Sequence, residues 1–92
     1  MPRIGQTIYT AAVHRKTRGH FGTVSHQVRF LAFASSMRCA RFALTHSGND
    51  TDPVMYAARS AQVAKDLRLG RSTTINGNAA NVWIIVKHEN LY

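Results

Sequence analysis

Residues 27–45 read QVRFLAFASSMRCARFALT, and two secondary structures compete for them. As strands, the segment breaks at a turn around Ser35 and Ser36, small hydroxyl residues that suit a change of direction. Before the turn, Val24 to Phe33 alternates: Thr23, Ser25, Gln27 and Arg29 point one way, and Val24, Val28, Phe30 and Ala32 the other. That period of two marks a half-buried strand. After the turn, Arg38 to His46 makes a third strand, with Ala40, Phe42 and Leu44 inward and Cys39, Arg41, Ala43 and Thr45 outward. As a helix, Ala32 to Leu44 is rich in Ala, Leu, Met and Arg, all good helix formers, and Val28, Leu31, Ala32, Cys39 and Phe42 fit a helical stripe. A helix scatters Arg29, Arg38 and Arg41 around its cylinder, whereas strands put Arg29 and Arg41 on the face opposite the phenylalanines. Segregation of charge favours strands, and a second helix in place of residues 27–45 is the alternative.

Toward the N-terminus, Gln6 to Val13 reads as a strand, with Tyr9, Ala11 and Val13 on one face and Thr10, Ala12 and His14 on the other. His14 to His20 then gathers three cations and a glycine, the composition of an exposed basic loop joining paired strands. Toward the C-terminus, residues 47–51 form a loop and Asp52-Pro53 opens a helix: the carboxylate accepts orphan amide hydrogens, and proline sits where no donor is needed. The helix runs to about Leu69 and stops at Gly70, the usual residue for a left-handed terminating turn. Ala57, Ala61, Ala64 and Leu67, widened by Tyr56 and Val63, form its buried face, and Arg59, Gln62, Lys65 and Asp66 meet water. A polar loop, Arg71 to Asn78, precedes Asn81-Val82-Trp83-Ile84-Ile85-Val86, a strand apolar on both faces and therefore central. The expected architecture is α+β: an antiparallel sheet in the order β-β-β-α-β with one Ala-rich helix packed on it, in a single domain spanning residues 1–92.

Charge bounds the partner. Twelve Lys+Arg stand against four Asp+Glu, a formal net charge of +8, and self-repulsion of that size is tolerated when the partner is anionic. Nine of the twelve are arginine, whose planar fork matches phosphate in two-point contacts. Cys39 is the single cysteine, so no internal disulfide forms, and a reducing cytoplasm suits the chain. The N-terminal residues lack the apolar run of a signal peptide, and no apolar stretch reaches membrane-spanning length.

Catalytic constellations are not visible. Of the four acids, Asp52 caps a helix, Asp66 lies on a helix surface and Glu89 is near the C-terminus, which leaves Asp50 without a partner carboxylate. Cys39 has no identifiable base, the histidine spacings match no zinc site, and Gly70 ends a helix where a phosphate loop needs one to begin. No enzyme activity, cofactor or metal is expected. What remains is basic surface: Arg15, Lys16 and Arg18 on the tip of a hairpin, with Arg29 and Arg41 on a sheet face, are the candidate partner-binding residues. Tyr9, Phe21, Phe33 and Trp83 are candidate stacking surfaces for unpaired bases. The Asp52 helix has mixed polar charge and is no sequence-reading helix.

With its Gly5-Gln6-Thr7-Ile8-Tyr9-Thr10 opening, basic loop, Ala-rich helix after Asp52-Pro53 and closing Asn81–Val86 strand, the chain resembles the small phage-borne anti-CRISPR proteins, in particular inhibitors of type I-F systems. The resemblance lies in length and general character, and those inhibitors share no common signature. It implies a non-enzymatic protein of the host cytoplasm that binds a crRNA-guided surveillance complex and blocks target DNA binding or hybridisation. A basic member does not imitate DNA by charge, so it would address guide RNA or acidic protein surface. The alternative is a small basic nucleic-acid-binding protein of a phage or mobile element.

Overall fold

In the computed structural model, which describes residues 7–77 and 81–90, the chain stops alternating at Phe33 and becomes helical at Ser36. The hydroxyl of Ser35, a residue with extended backbone, accepts a hydrogen bond from the Arg38 amide at 3.3 Å and so caps helix α1, Ser36–His46. Its buried residues Ser36, Cys39, Ala40, Ala43 and Leu44 recur at helical spacing. The third strand expected at Arg38 to His46 is therefore a helix, while residues 27–33 keep the strand expected of them. The charge argument did not separate the two because α1 segregates as well: Arg38, Arg41 and Thr45 share its solvent side.

The remaining elements are β1 (Thr7–Gly19), β2 (Gly22–Phe33), α2 (Pro53–Arg68), β3 (Thr73–Asn76) and β4 (Val82–Asn90). Gln6, placed in the first strand by its sequence, lies outside the described residues. The strands form one antiparallel sheet in the order β2-β1-β4-β3, with β1 and β4 central. The architecture is α+β, with the β4 position as expected and two helices in place of one. β3 corrects the polar loop expected after Arg71; Thr73, Thr74 and Asn76 carry no apolar pattern, and the strand exists through its ladder to β4 and the burial of Ile75.

Both helices contact one side of the sheet. Ala11 and Val13 of β1, Ile84 and Val86 of β4 and Ile75 of β3 meet Cys39, Ala40, Ala43 and Leu44 of α1 and Val63, Ala64 and Leu67 of α2 in a single core. Register pairs Tyr9 with Phe33, Ala11 with Leu31 and Val13 with Arg29, so these β2 residues share the helix side. Ala32 and Phe30 pair with Thr10 and Ala12 on the opposite, uncovered face. The β2 faces are thus inverted relative to the sequence expectation for Phe30, Ala32 and Arg29. Between Val13 and His14 the register slips by one, leaving Val28 as the extra residue of a bulge, and alternation across a bulge changes face.

Helix α2 begins as its sequence demands: Asp52 Oδ1 accepts from the amides of Val54 at 3.0 Å and Met55 at 3.3 Å. It ends at Arg68, with Leu69 as its C-cap and Gly70 following at φ +84°. Its inner face is Tyr56, Ser60, Val63, Ala64 and Leu67, whereas Ala57 and Ala61 are exposed, contrary to expectation. The buried stripe runs along 56, 60, 63, 64 and 67, rotated from the alanine row because α2 packs mainly on α1 and reaches the sheet chiefly at β3 and β4. Arg68 donates to Ser36 Oγ at 3.0 Å, and His88 Nδ1 lies 2.9 Å from the Leu67 carbonyl oxygen, which ties α2 to α1 and to β4. Among the described residues, no helix is long and apolar enough to cross a membrane.

Candidate nucleic-acid interface

β1 outruns its neighbour β4. The last pair between them is Arg15 with Val82, followed by one backbone bond from the Lys16 amide to the Asn81 carbonyl at 2.7 Å. From Thr17 onward only β2 accompanies β1, through Thr17–Val24, Arg18–Thr23 and Gly19–Gly22. The expected basic loop is therefore mostly strand, and the turn itself is only His20 and Phe21. Gly22 closes it at φ +119°, a conformation that side chains rarely adopt. This free ribbon is three residues long on each strand, about 10 Å at the usual rise, and every residue from 15 to 30 is exposed.

Alternation along β1 divides its cations between two faces. Arg15 lies on the helix side, opposite His26; Lys16 and Arg18 lie on the open side, opposite Ser25 and Thr23. Lys16 Nζ sits 5.5 Å from the centre of the Trp83 ring, and His14 stacks parallel to the same ring at 5.5 Å and 9°. Trp83 and Lys16 border a cleft of about 470 Å³ that Thr74, Asn76, Gly77 and Val82 complete.

Arg29 and Arg41 belong to a different group. The Arg29 guanidinium lies 5.9 Å from the centre of the Phe42 ring, and Arg41 lines a shallow depression on α1 with Phe42, Thr45 and His46. The structure thus splits the five expected binding residues: Lys16 and Arg18 on the open face of the hairpin, Arg15 on its other face, and Arg29 with Arg41 around Phe42. Arg29 stands opposite Phe30 as expected but not opposite Phe33 and Phe42, which lie with it on the helix side of the sheet.

No acid occurs among residues 7–49. Among the described residues the one ion pair joins Arg71 to Asp66 at 3.6 Å, so the ribbon cations are not neutralised by carboxylates there. Of the expected stacking aromatics, Tyr9 and Phe33 pack against the core, Trp83 lies on the open face and Phe21 stands at the ribbon tip, 99% exposed. Sequence reasoning missed the open-face surface of Gln27, Phe30, Ile85 and Lys87, which borders a hollow next to His14. The β2 alternation carried the signal for Phe30, but the bulge reversed its face.

Cys39 is buried, its Sγ 3.6 Å from the Thr10 carbonyl oxygen, and burial pushes its thiol up to about 12 from 9.0. It is a packed, protonated core residue and a poor nucleophile. His46 stacks on Phe42, His14 on Trp83, and His20 meets Phe21 edge-on. Among the described residues no three of His, Cys, Asp and Glu gather to hold a metal ion. The geometry supplies guanidinium and ammonium groups against the half-buried rings of Trp83 and Phe42, a surface suited to phosphate and bases. No family model matches the chain, and no curated protein or solved structure matches it significantly.

Proposed function

We propose that the chain binds nucleic acid by setting its cationic β-ribbon against the sugar-phosphate backbone, and that it acts by binding without chemistry on its partner. The observation that carries the reading is the projecting ribbon itself: Arg15 stands at the last pair of the β4 ladder and Lys16 and Arg18 beyond it, all three exposed and without a carboxylate partner among the described residues. Cations left unpaired on a projecting element release condensed counterions when they meet phosphate, which gives affinity without sequence reading. Trp83, with His14 and Lys16 against it, extends the same surface onto the sheet. The test is fluorescence anisotropy of labelled DNA and RNA against the parent and against a variant with Arg15, Lys16 and Arg18 all changed to alanine. Tight binding by the parent and at least tenfold weaker binding by the variant support the reading, and equal binding by both defeats it.

The open sheet face favours a second reading. Phe30 and Ile85 there adjoin the Lys87 and Gln27 side chains, a mixed surface that suits protein lying beside nucleic acid. In that reading the target is a nucleoprotein, the crRNA-guided complex implied by the resemblance, and the ribbon addresses its guide RNA. Titrating the protein into purified type I-F complex separates the readings: loss of target DNA binding saturating at a small whole-number ratio, with intact guide RNA, supports inhibition. Unchanged DNA binding at large excess removes it.

A further inference from the structure

The ribbon ends in an aromatic ring that packs on nothing in the body. Phe21 is 99% exposed, and its ring contact is the adjacent His20, edge-on at 5.2 Å. Two-residue turns ordinarily use glycine, asparagine or aspartate, so a phenyl group at this point leaves apolar area in water for no local gain. Glycines stand on both sides of the pair, Gly19 and Gly22. Gly22 supplies the positive φ of +119° that closes the turn, and a Cβ there would meet nothing within 4 Å.

Behind the tip the cations flank the ribbon on both faces, Lys16 and Arg18 on one and, at its root where β4 ends, Arg15 on the other. A ribbon lying on a single strand would meet phosphate with one face. A ribbon inside a groove has a phosphate wall on each side, and cations on both faces fit that surrounding. We infer that the ribbon enters the minor groove of duplex DNA and that Phe21 inserts between adjacent base pairs as a wedge that unstacks and bends the duplex. The inference rests on the nucleic-acid reading above and adds the substrate class and the role of the tip. Phosphate contacts from Arg15, Lys16 and Arg18 place the ribbon. The ring then leaves water by stacking between bases, and the bend away from the ribbon opens the groove, which is otherwise about 6 Å wide, to a two-stranded element. Pyrimidine–purine steps, which unstack most easily, are the preferred points of entry.

The experiment uses a duplex about 30 base pairs long, with a central TA step next to 2-aminopurine and a donor and acceptor dye at its ends. Binding is read independently by anisotropy. The parent protein should raise both energy transfer, through bending, and 2-aminopurine fluorescence, through unstacking. Phe21→Ala should still saturate the duplex, within about tenfold of the parent's affinity, with both optical signals at the level of free DNA. Phe21→Trp should restore both signals. Saturation by the parent without either signal, or equal signals from Phe21→Ala, overturns the wedge and leaves ribbon binding intact. Binding to single strands but not to the duplex overturns groove entry while the proposed function stands. No binding to any nucleic acid overturns both.

Discussion

Cys39 Sγ, 3.6 Å from the Thr10 carbonyl oxygen and closed to solvent, gives the molecule a pH dependence. Its thiol ionises near 9.0 in a free chain and, by burial, at about 12 in the fold. Between those values the unfolded chain has lost the proton that the folded chain keeps, so stability falls as pH rises, by up to about 1.4 kcal/mol per pH unit from this one group. Below pH about 9 both states are protonated and the contribution is fully present. Cys39→Ala should therefore lose less stability than the parent between about pH 8 and pH 11 in urea melts, the tyrosine and lysine titrations being common to both. A parallel loss in the two proteins would show that the thiol is not held neutral. A second buried group gives an opposite sign: Ser60 Oγ, on the inner face of α2, has no hydrogen-bond partner among the described residues. Removing an unsatisfied hydroxyl is expected to stabilise, by about 1 kcal/mol for Ser60→Ala, and a lower melting temperature for that variant would refute it. The strand reading of the sequence set Cys39 on the outward face, and the helical period of α1 turns it into the core. The Ser60 site was not legible, because the buried stripe of α2 is rotated from the alanine row that its sequence offered.

At the scale of elements, the boundaries set by local chemistry were legible and those set by pairing were not. Asp52-Pro53 and Gly70 bracket α2 within a residue of the observed ends, because cap and left-handed turn are properties of a few adjacent residues. Ser35 likewise marked the end of β2, yet what followed was misread: Ala40, Phe42 and Leu44 fit a strand's alternation while Cys39 and Phe42 fit a helical stripe, and so short a span does not separate them. The Ser35 cap and the high helix propensity of the Ala, Leu, Met and Arg content decide for α1. β3 and the Val28 bulge depend on partners distant in sequence, so no local pattern announces them. Two predictions follow from these elements. Asp52→Ala removes an acceptor for two amides and should lower stability by about 1 kcal/mol in thermal melts, and no change would deny the cap its role. Ile84 is fully buried in central β4, paired with Val13 on one side and Ile75 on the other. Ile84→Asp places an unpaired carboxylate in the core, a loss on the order of the whole stability of a small domain, about 5 kcal/mol. Circular dichroism should show no cooperative transition, and a retained one would displace β4 from the centre of the fold.

For the molecule as a whole, the net charge of +8 acts on folding and on binding with opposite signs. Like charges repel in the compact state, so moderate salt, by screening them, should raise the melting temperature. The same salt competes with the protein for phosphate and should weaken binding steeply. The site was legible to this extent: the excess of arginine, and its concentration at residues 15–18, stood in the sequence. Its division between two ribbon faces did not, because faces follow from register. The quantity that joins these scales is the slope of log affinity against log salt, which counts the phosphates neutralised. On duplex DNA each contact contributes about −0.9. If Arg15, Lys16 and Arg18 each meet one phosphate, replacing all three by alanine should flatten the slope by roughly 3 and, by removing three like charges, also reduce the gain in melting temperature that salt confers. Exposed ribbon substitutions change stability by only about 0.5 kcal/mol each, so both effects are readable on a folded protein. A variant whose affinity falls at every salt concentration with the slope unchanged would mean that these side chains hold the ribbon's shape and that the phosphate contacts lie elsewhere, with Arg29 and Arg41 beside Phe42 the next to be replaced.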